Sequence, residues 1–164
     1  MPKITPFLWF DDQAGEAVDF YLSVFPNSRV TSVARHGEAG PGPAGSVMTI
    51  GFELDGQPFT ALNGGPAHYG FDESVSFVVH CPTEEEVDHY WSRLTDGGEE
   101  IACGWLKDRY GLRWQIVPDG FVELMQDADP ERAARVMQAM MTMTKLDLRA
   151  LRAAADGSLV QPAG

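Results

Sequence analysis

Cys103 is the residue whose type and setting most invite chemistry in this chain. It stands just before Gly104-Trp105 at the start of a strand-like run, where a thiol could act as a nucleophile or a redox-sensitive group. A reactive thiol needs a base or a positive field beside it, and His68, His80 and Lys107 are the side chains that could supply one. Spacing alone brings none of them within reach, so a buried, inert cysteine is the favoured reading. His80, at a strand end, and His89, on a helix, read as a terminal hydrogen bonder and a solvated residue.

Other motifs reduce to structure. Gly40, Gly42 and Gly45 satisfy G-x-G-x-x-G, but Pro41 and Pro43 interrupt them and residues 47–50 read as a strand where a phosphate-binding helix should begin. This is a loop from an edge strand, residues 29–36, into the next strand. G-x-S-x-G, H-E-x-x-H, Walker and C-x-x-C patterns are missing from the sequence, which leaves the standard hydrolase, zinc-protease and nucleotide readings without support. Thr83 followed by Glu86 makes a capping box, so the acidic run Glu84, Glu85, Glu86 marks a helix start. Asn63-Gly64-Gly65-Pro66 reads as a tight turn; the alternative is that its amides and the Asn63 side chain meet a ligand.

The elements that must position such groups occur twice. Residues 4–10 read as a strand and 11–25 as an amphipathic helix, with Ala17, Phe20, Tyr21 and Val24 three and four apart; residues 75–80 and 83–94 repeat the pattern with Val87, Tyr90, Trp91 and Leu94. Each unit closes on a hairpin, turning at Asp55-Gly56 in the first and near Tyr110-Gly111 in the second. Placing Tyr21 over Tyr90 puts Phe10 over Val79. The pattern predicts two strand-helix-strand-strand-strand modules over residues 3–65 and 74–118. A junction between such halves is where small-molecule sites tend to form. Asp129-Pro130 then opens a helix over 131–142 with an apolar stripe of Val136, Ala139, Met140 and Met143, and a shorter helix covers 147–154 before a frayed tail from 156.

At 164 residues and 44% hydrophobic content the chain can bury a core as a single domain. Twelve Lys and Arg against twenty-four Asp and Glu give a net charge of −12, which repels nucleic acid and anionic membranes. No run approaches the roughly 20 apolar residues of a membrane span, and the first residues lack a secretion signal, so a cytoplasmic setting is expected, with Cys81 and Cys103 as free thiols. Four methionines between Met137 and Met143 exceed what one narrow core stripe uses. A homodimer with Met137, Met140 and Met141 in or near its interface is therefore expected.

The stretches ITPFLWFDDQAGEAVDFYLSVFP, GEAGPGPAGSVMTIGFELDGQPFTALNGGP and SVSFVVHCPTEEEVDHYWSRLTDGGEEIACGWLKDRYGLRWQIVP resemble the PhnB-like branch of the vicinal oxygen chelate superfamily. That superfamily includes glyoxalase I, bleomycin-resistance proteins and extradiol dioxygenases. The resemblance covers residues 3–155, and LNGGP with CGWLKDRYGLRWQIVP are its most specific parts. It implies an α+β fold of paired βαβββ modules curled around a shared cavity, and frequently a homodimer; the helical segment read over 130–155 then stands as a C-terminal extension of that fold. Members of the branch often carry the label 3-demethylubiquinone-9 3-methyltransferase, yet nothing in this sequence resembles a nucleoside-cofactor fingerprint.

Metal-dependent members of the superfamily hold a divalent ion with His and Glu from the first and last strands of each module. The resemblance puts those places at Thr5 or Phe7, Ala61 or Thr60, Ser76 or Ser74, and Gln115, none of them a histidine or carboxylate. No cofactor is expected, with a divalent metal as the minority alternative. On the implied winding, Trp9, Asn63, Ser76, Cys103, Trp105, Trp114 and Gln115 lie on strands or loops near the cavity, and strand alternation turns only some of them inward. Aromatic walls with a few amides suit a planar or apolar ligand, against the plain reading of tryptophans as core. Two functions stand: a binding protein without turnover, or an isomerase, lyase or dioxygenase acting on a small oxygenated or aromatic metabolite.

Overall fold

A computed structural model describes residues 2–158. The chain divides between Gly70 and Phe71 into two compact units. In the first, β1 (Phe7–Phe10), α1 (Ala14–Val24), β2 (Arg29–Arg35), β3 (Val47–Leu54) and β4 (Gln57–Asn63) form a sheet of order β1-β4-β3-β2. In the second, β5 (Ser76–Cys81), α2 (Glu84–Thr95), β6 (Glu99–Glu100), β7 (Trp105–Lys107) and β8 (Arg113–Pro118) repeat that order as β5-β8-β7-β6. In both, the first strand pairs in parallel with the last and the remaining pairs are antiparallel. The predicted duplication is therefore present, with β1 and β5 in equivalent sheet positions.

Alternation decides which face of each sheet its helix covers. Leu8, Phe10, Ile50, Phe52, Phe59 and Ala61 are buried with Ala17, Val18 and Tyr21 of α1, and Leu106, Trp114 and Ile116 with Val87, Trp91 and Leu94 of α2. Residues of opposite parity occupy the far face. At about 25 cal/mol per Å² of apolar surface, these side chains are the main favourable term for each unit.

Two boundaries differ from those predicted. Strand β1 begins at Phe7 and α1 at Ala14, since the Pro6 carbonyl accepts from Thr60 N–H while the carbonyls of Phe10 and Asp11 accept from the amides of Gly64 and Gly65. Those contacts hold residues 10–11 against the end of β4 and delay the helix. Thr83 caps α2 as expected, its side chain accepting from Glu86 N–H at 3.2 Å.

The C-terminal segment contains one more helix than predicted: α3 (Phe121–Met125) precedes α4 (Pro130–Met140) and α5 (Leu148–Ala155). Asp129 and Asp147 cap the two longer ones. Val136, Met143, Leu146, Ala150, Leu151 and Ala155 form a small core, with Ala139 and Met140 packed against it. Met137 and Met141 remain 42% and 64% exposed. The segment is tied to the rest of unit two by backbone bonds from Cys103 and Gly104 to the carbonyls of Met143 and Thr144, at 2.9 and 2.8 Å, and by a Lys145–Asp88 ion pair. Apart from residues 156–158, the predicted frayed tail lies outside the described residues.

Candidate functional site

Three of the seven expected site residues meet on the far face of the second sheet. Gln115 on β8 is the register partner of Trp105 on β7, and its Nε2 donates to Ser76 Oγ on β5 at 2.9 Å. All three side chains are half-buried. A hydroxyl both donates and accepts, so this pair can offer one donor and one acceptor to a ligand whichever way the amide is turned. Val78, 43% exposed, lies beside Gln115 in the ladder. Together they make an apolar ground with one polar pair set in it.

Arg113, in register with Ser76, closes one end of this face. Its guanidinium bonds Glu73 at 3.0 Å and the carbonyl of Phe71 at 3.2 Å, which ties the entry to β5 onto β8. The same guanidinium holds the Glu73 carboxyl below the usual range, mainly by hydrogen bonding.

The remaining four expected residues are placed differently. Trp114 belongs to the helix-covered face, 3% exposed, with its indole N–H donating to Asp108 Oδ2 at 2.8 Å. Asn63 is committed to the fold: its Oδ1 accepts from the Ala14 N–H at 2.8 Å and its Nδ2 donates to the Val47 carbonyl at 3.2 Å. It thereby caps α1, a task the adjoining Gln13 does not perform. Trp9 is on the far face of the first sheet, edge-on to Tyr69 with centroids 5.8 Å apart, and donates to the Gly65 carbonyl at 3.0 Å. Its ring lies so close over Gly64 that a Cβ there would be 2.2 Å from Trp9 Cε2. Asn63-Gly64-Gly65-Pro66 is thus a turn shaped to its neighbours, with both glycine amides bonded to backbone carbonyls.

Cys103 has φ of 58° and points its thiol at the Met140 carbonyl, 3.6 Å away. Lys107, offered as its base, pairs with Glu99 at 2.9 Å. Cys81 is 1% exposed, and burial, with Glu86 and Asp119 nearby, pushes its thiol up to about 12. Both cysteines are free.

Asp108 went unnoticed in the sequence. It is 1% exposed and accepts from the amides of Tyr110 and Leu112, at 2.8 and 3.0 Å, as well as from Trp114. An aspartate two residues before Tyr110-Gly111 is the signature of a side-chain-supported turn, and that signal could have revealed it.

The ladder also gives the far-face neighbours in each unit. With Phe10 over Val79, the pair Val78–Gln115 matches Trp9–Leu62, so Leu62 stands in unit one where unit two has Gln115. Within unit one the far-face pairs are Phe7 with Thr60 and Trp9 with Leu62; within unit two they are Ser76 with Arg113 and Val78 with Gln115. These apolar groups, hydroxyls, one amide and a guanidinium include none of the imidazole, thiolate or carboxylate donors that hold transition-metal ions most tightly.

Comparison with known proteins agrees with this architecture. The family model of 3-demethylubiquinone-9 3-methyltransferase matches residues 2–117. A putative 3-demethylubiquinone-9 3-methyltransferase, PhnB protein, from Bacillus cereus is 36% identical with a TM-score of 0.66, the match covering 71% of this chain and 99% of that one. A Pseudomonas aeruginosa protein at 18% identity (TM-score 0.60; 72% and 98% covered) shares the fold. So does the fosfomycin resistance protein FosX of Listeria monocytogenes at 15% (TM-score 0.55; 74% and 94%). A search of the curated proteins found no match. The family match over most of the chain, together with the 36% identity to the PhnB protein, establishes that the chain belongs to the 3-demethylubiquinone-9 3-methyltransferase (PhnB-like) family.

Proposed function

We propose that this chain binds a small, partly aromatic molecule on the far face of its second sheet, without a tightly bound metal. The observation that carries the reading is the Gln115–Ser76 hydrogen-bonded pair beside Trp105. The indole supplies contact area, and the amide and hydroxyl orient a ligand carbonyl or hydroxyl. Methyl transfer is no part of this reading, because the G-x-G-x-x-G run at residues 40–45 leads from β2 into β3 and opens no helix. Calorimetric titration of metal-depleted protein with salicylamide, an aromatic probe bearing an amide and a hydroxyl, tests it. Saturable heat that Gln115→Ala diminishes is expected; no binding until a divalent metal is added would overturn it.

The same reading makes the protein a homodimer, with the exposed Met137 and Met141 of α4 in the contact. It also places the protein in the cytoplasm, where free thiols stay reduced. No helix among the described residues is long and apolar enough to cross a membrane.

A further inference from the structure

The family match ends at residue 117, and the segment beyond it builds a cleft of about 740 Å³ against the start of α2. One wall is the start of α2 with Thr83, Glu84 and Val87; a second is the turn Pro118, Asp119, Gly120; the third runs from Thr142 to Arg152. Cys81 and Pro118 belong to the helix-covered side of the sheet, so the cleft is on the opposite side from Gln115 and Ser76. Its floor is apolar: Cys81, Val87, Met143 and Leu146 are each buried.

The rim carries charge of both signs. Lys145 pairs with Asp88, and Asp147 accepts from the Ala150 amide as the α5 cap. Four charged rim residues remain, Glu84 and Asp119 against Arg149 and Arg152, and no ion pair among the described residues includes any of them. Arg149 and Arg152 are three apart on α5 and so share a helix face. Arg152 Nη2 comes within 3.3 Å of where a Gly120 Cβ would be, which brings the guanidinium over the turn that holds Asp119. Opposite charges that line one cleft without pairing leave room for a molecule that complements both.

We infer that this cleft binds a small zwitterion with an apolar body, of the apolar amino-acid class: its carboxylate meets Arg149 and Arg152, its ammonium meets Glu84 and Asp119, and its side chain covers Val87, Met143 and Leu146. Charge-assisted bonds at the rim give orientation, and the apolar floor gives selectivity for apolar bodies. The site lies between the C-terminal segment and the start of α2 and does not depend on the far face of the sheet.

Nuclear magnetic resonance titration of the full chain with leucine, methionine and phenylalanine tests the inference, with isocaproate and isoamylamine as leucine analogues lacking one charge each. At least one amino acid should bind saturably and shift the amides of Val87, Met143 and Leu146, with both single-charge analogues weaker by about tenfold or more. Arg152→Gln and Asp119→Asn, at exposed positions, should each weaken that binding about tenfold while thermal unfolding stays put, and Gln115→Ala should leave it unchanged. Absence of saturable shifts with all three amino acids up to their solubility, equal binding by the analogues, or unaltered binding by both rim variants would overturn it.

Discussion

Gln115 carries the proposed ligand contact, and its removal separates recognition from folding. Gln115→Ala deletes one half-buried bond to Ser76, so stability should fall by less than about 1 kcal/mol, whereas affinity for salicylamide should weaken by about 1 to 3 kcal/mol through the unpaired ligand group. Calorimetry beside a urea melt distinguishes the two. Asp108 should behave in the reverse sense. It is buried and satisfies two amides and an indole, so Asp108→Ala should cost about 3 kcal/mol in the same melt by leaving those donors unpaired. Cys81 gives a pH signature. Its thiol is raised from 9.0 to about 12 by burial, so the unfolded chain loses that proton first and stability declines as pH rises from about 9 toward about 12. Cys81→Ala should flatten that alkaline decline in denaturant titrations at several pH values.

At the scale of elements, the duplicated pattern was open to reading because helix periodicity and hairpin glycines are local signals. Val87, Tyr90, Trp91 and Leu94 are all buried on α2, and Asp55-Gly56 forms the β3–β4 turn with φ of 47° and 80°. What stayed hidden depends on contacts far apart in sequence. Nothing near residue 14 announces that its cap comes from Asn63, and nothing near Trp9 says that Gly64 must leave space for an indole. Likewise, alternation alone could not say which of Trp105 and Trp114 shares a face with Ser76; the ladder register decides it. Two substitutions follow from these distant contacts. Asn63→Ala should cost about 1 to 2 kcal/mol as a lost N-cap. Gly104→Ala is harsher locally: φ there is 85° and a Cβ would be 2.8 Å from Leu146 Cγ, so hydrogen exchange of residues 142–151 should accelerate while the amides of β3 and β4 keep their protection.

For the whole molecule, the fold class was legible and the partners of its surfaces were not. Composition yields a net charge of −12 and the stripe pattern yields a surplus of methionines, but only the packed helices separate Met140, which joins the C-terminal core, from the exposed Met137 and Met141. If these two mediate self-association, Met141→Glu should shift the protein to monomer in sedimentation. Association should also strengthen with added salt, since screening relieves repulsion between two acidic copies. In the proposed function, recognition occurs at Gln115, Ser76 and Trp105 with no metal in between. A nitrogen-15 titration of EDTA-treated protein with salicylamide examines all three at once. Saturable shifts of the Gln115 side-chain amide and the Trp105 indole N–H are expected in the metal-free protein. Silence of both signals until zinc, manganese or iron is restored would contradict it.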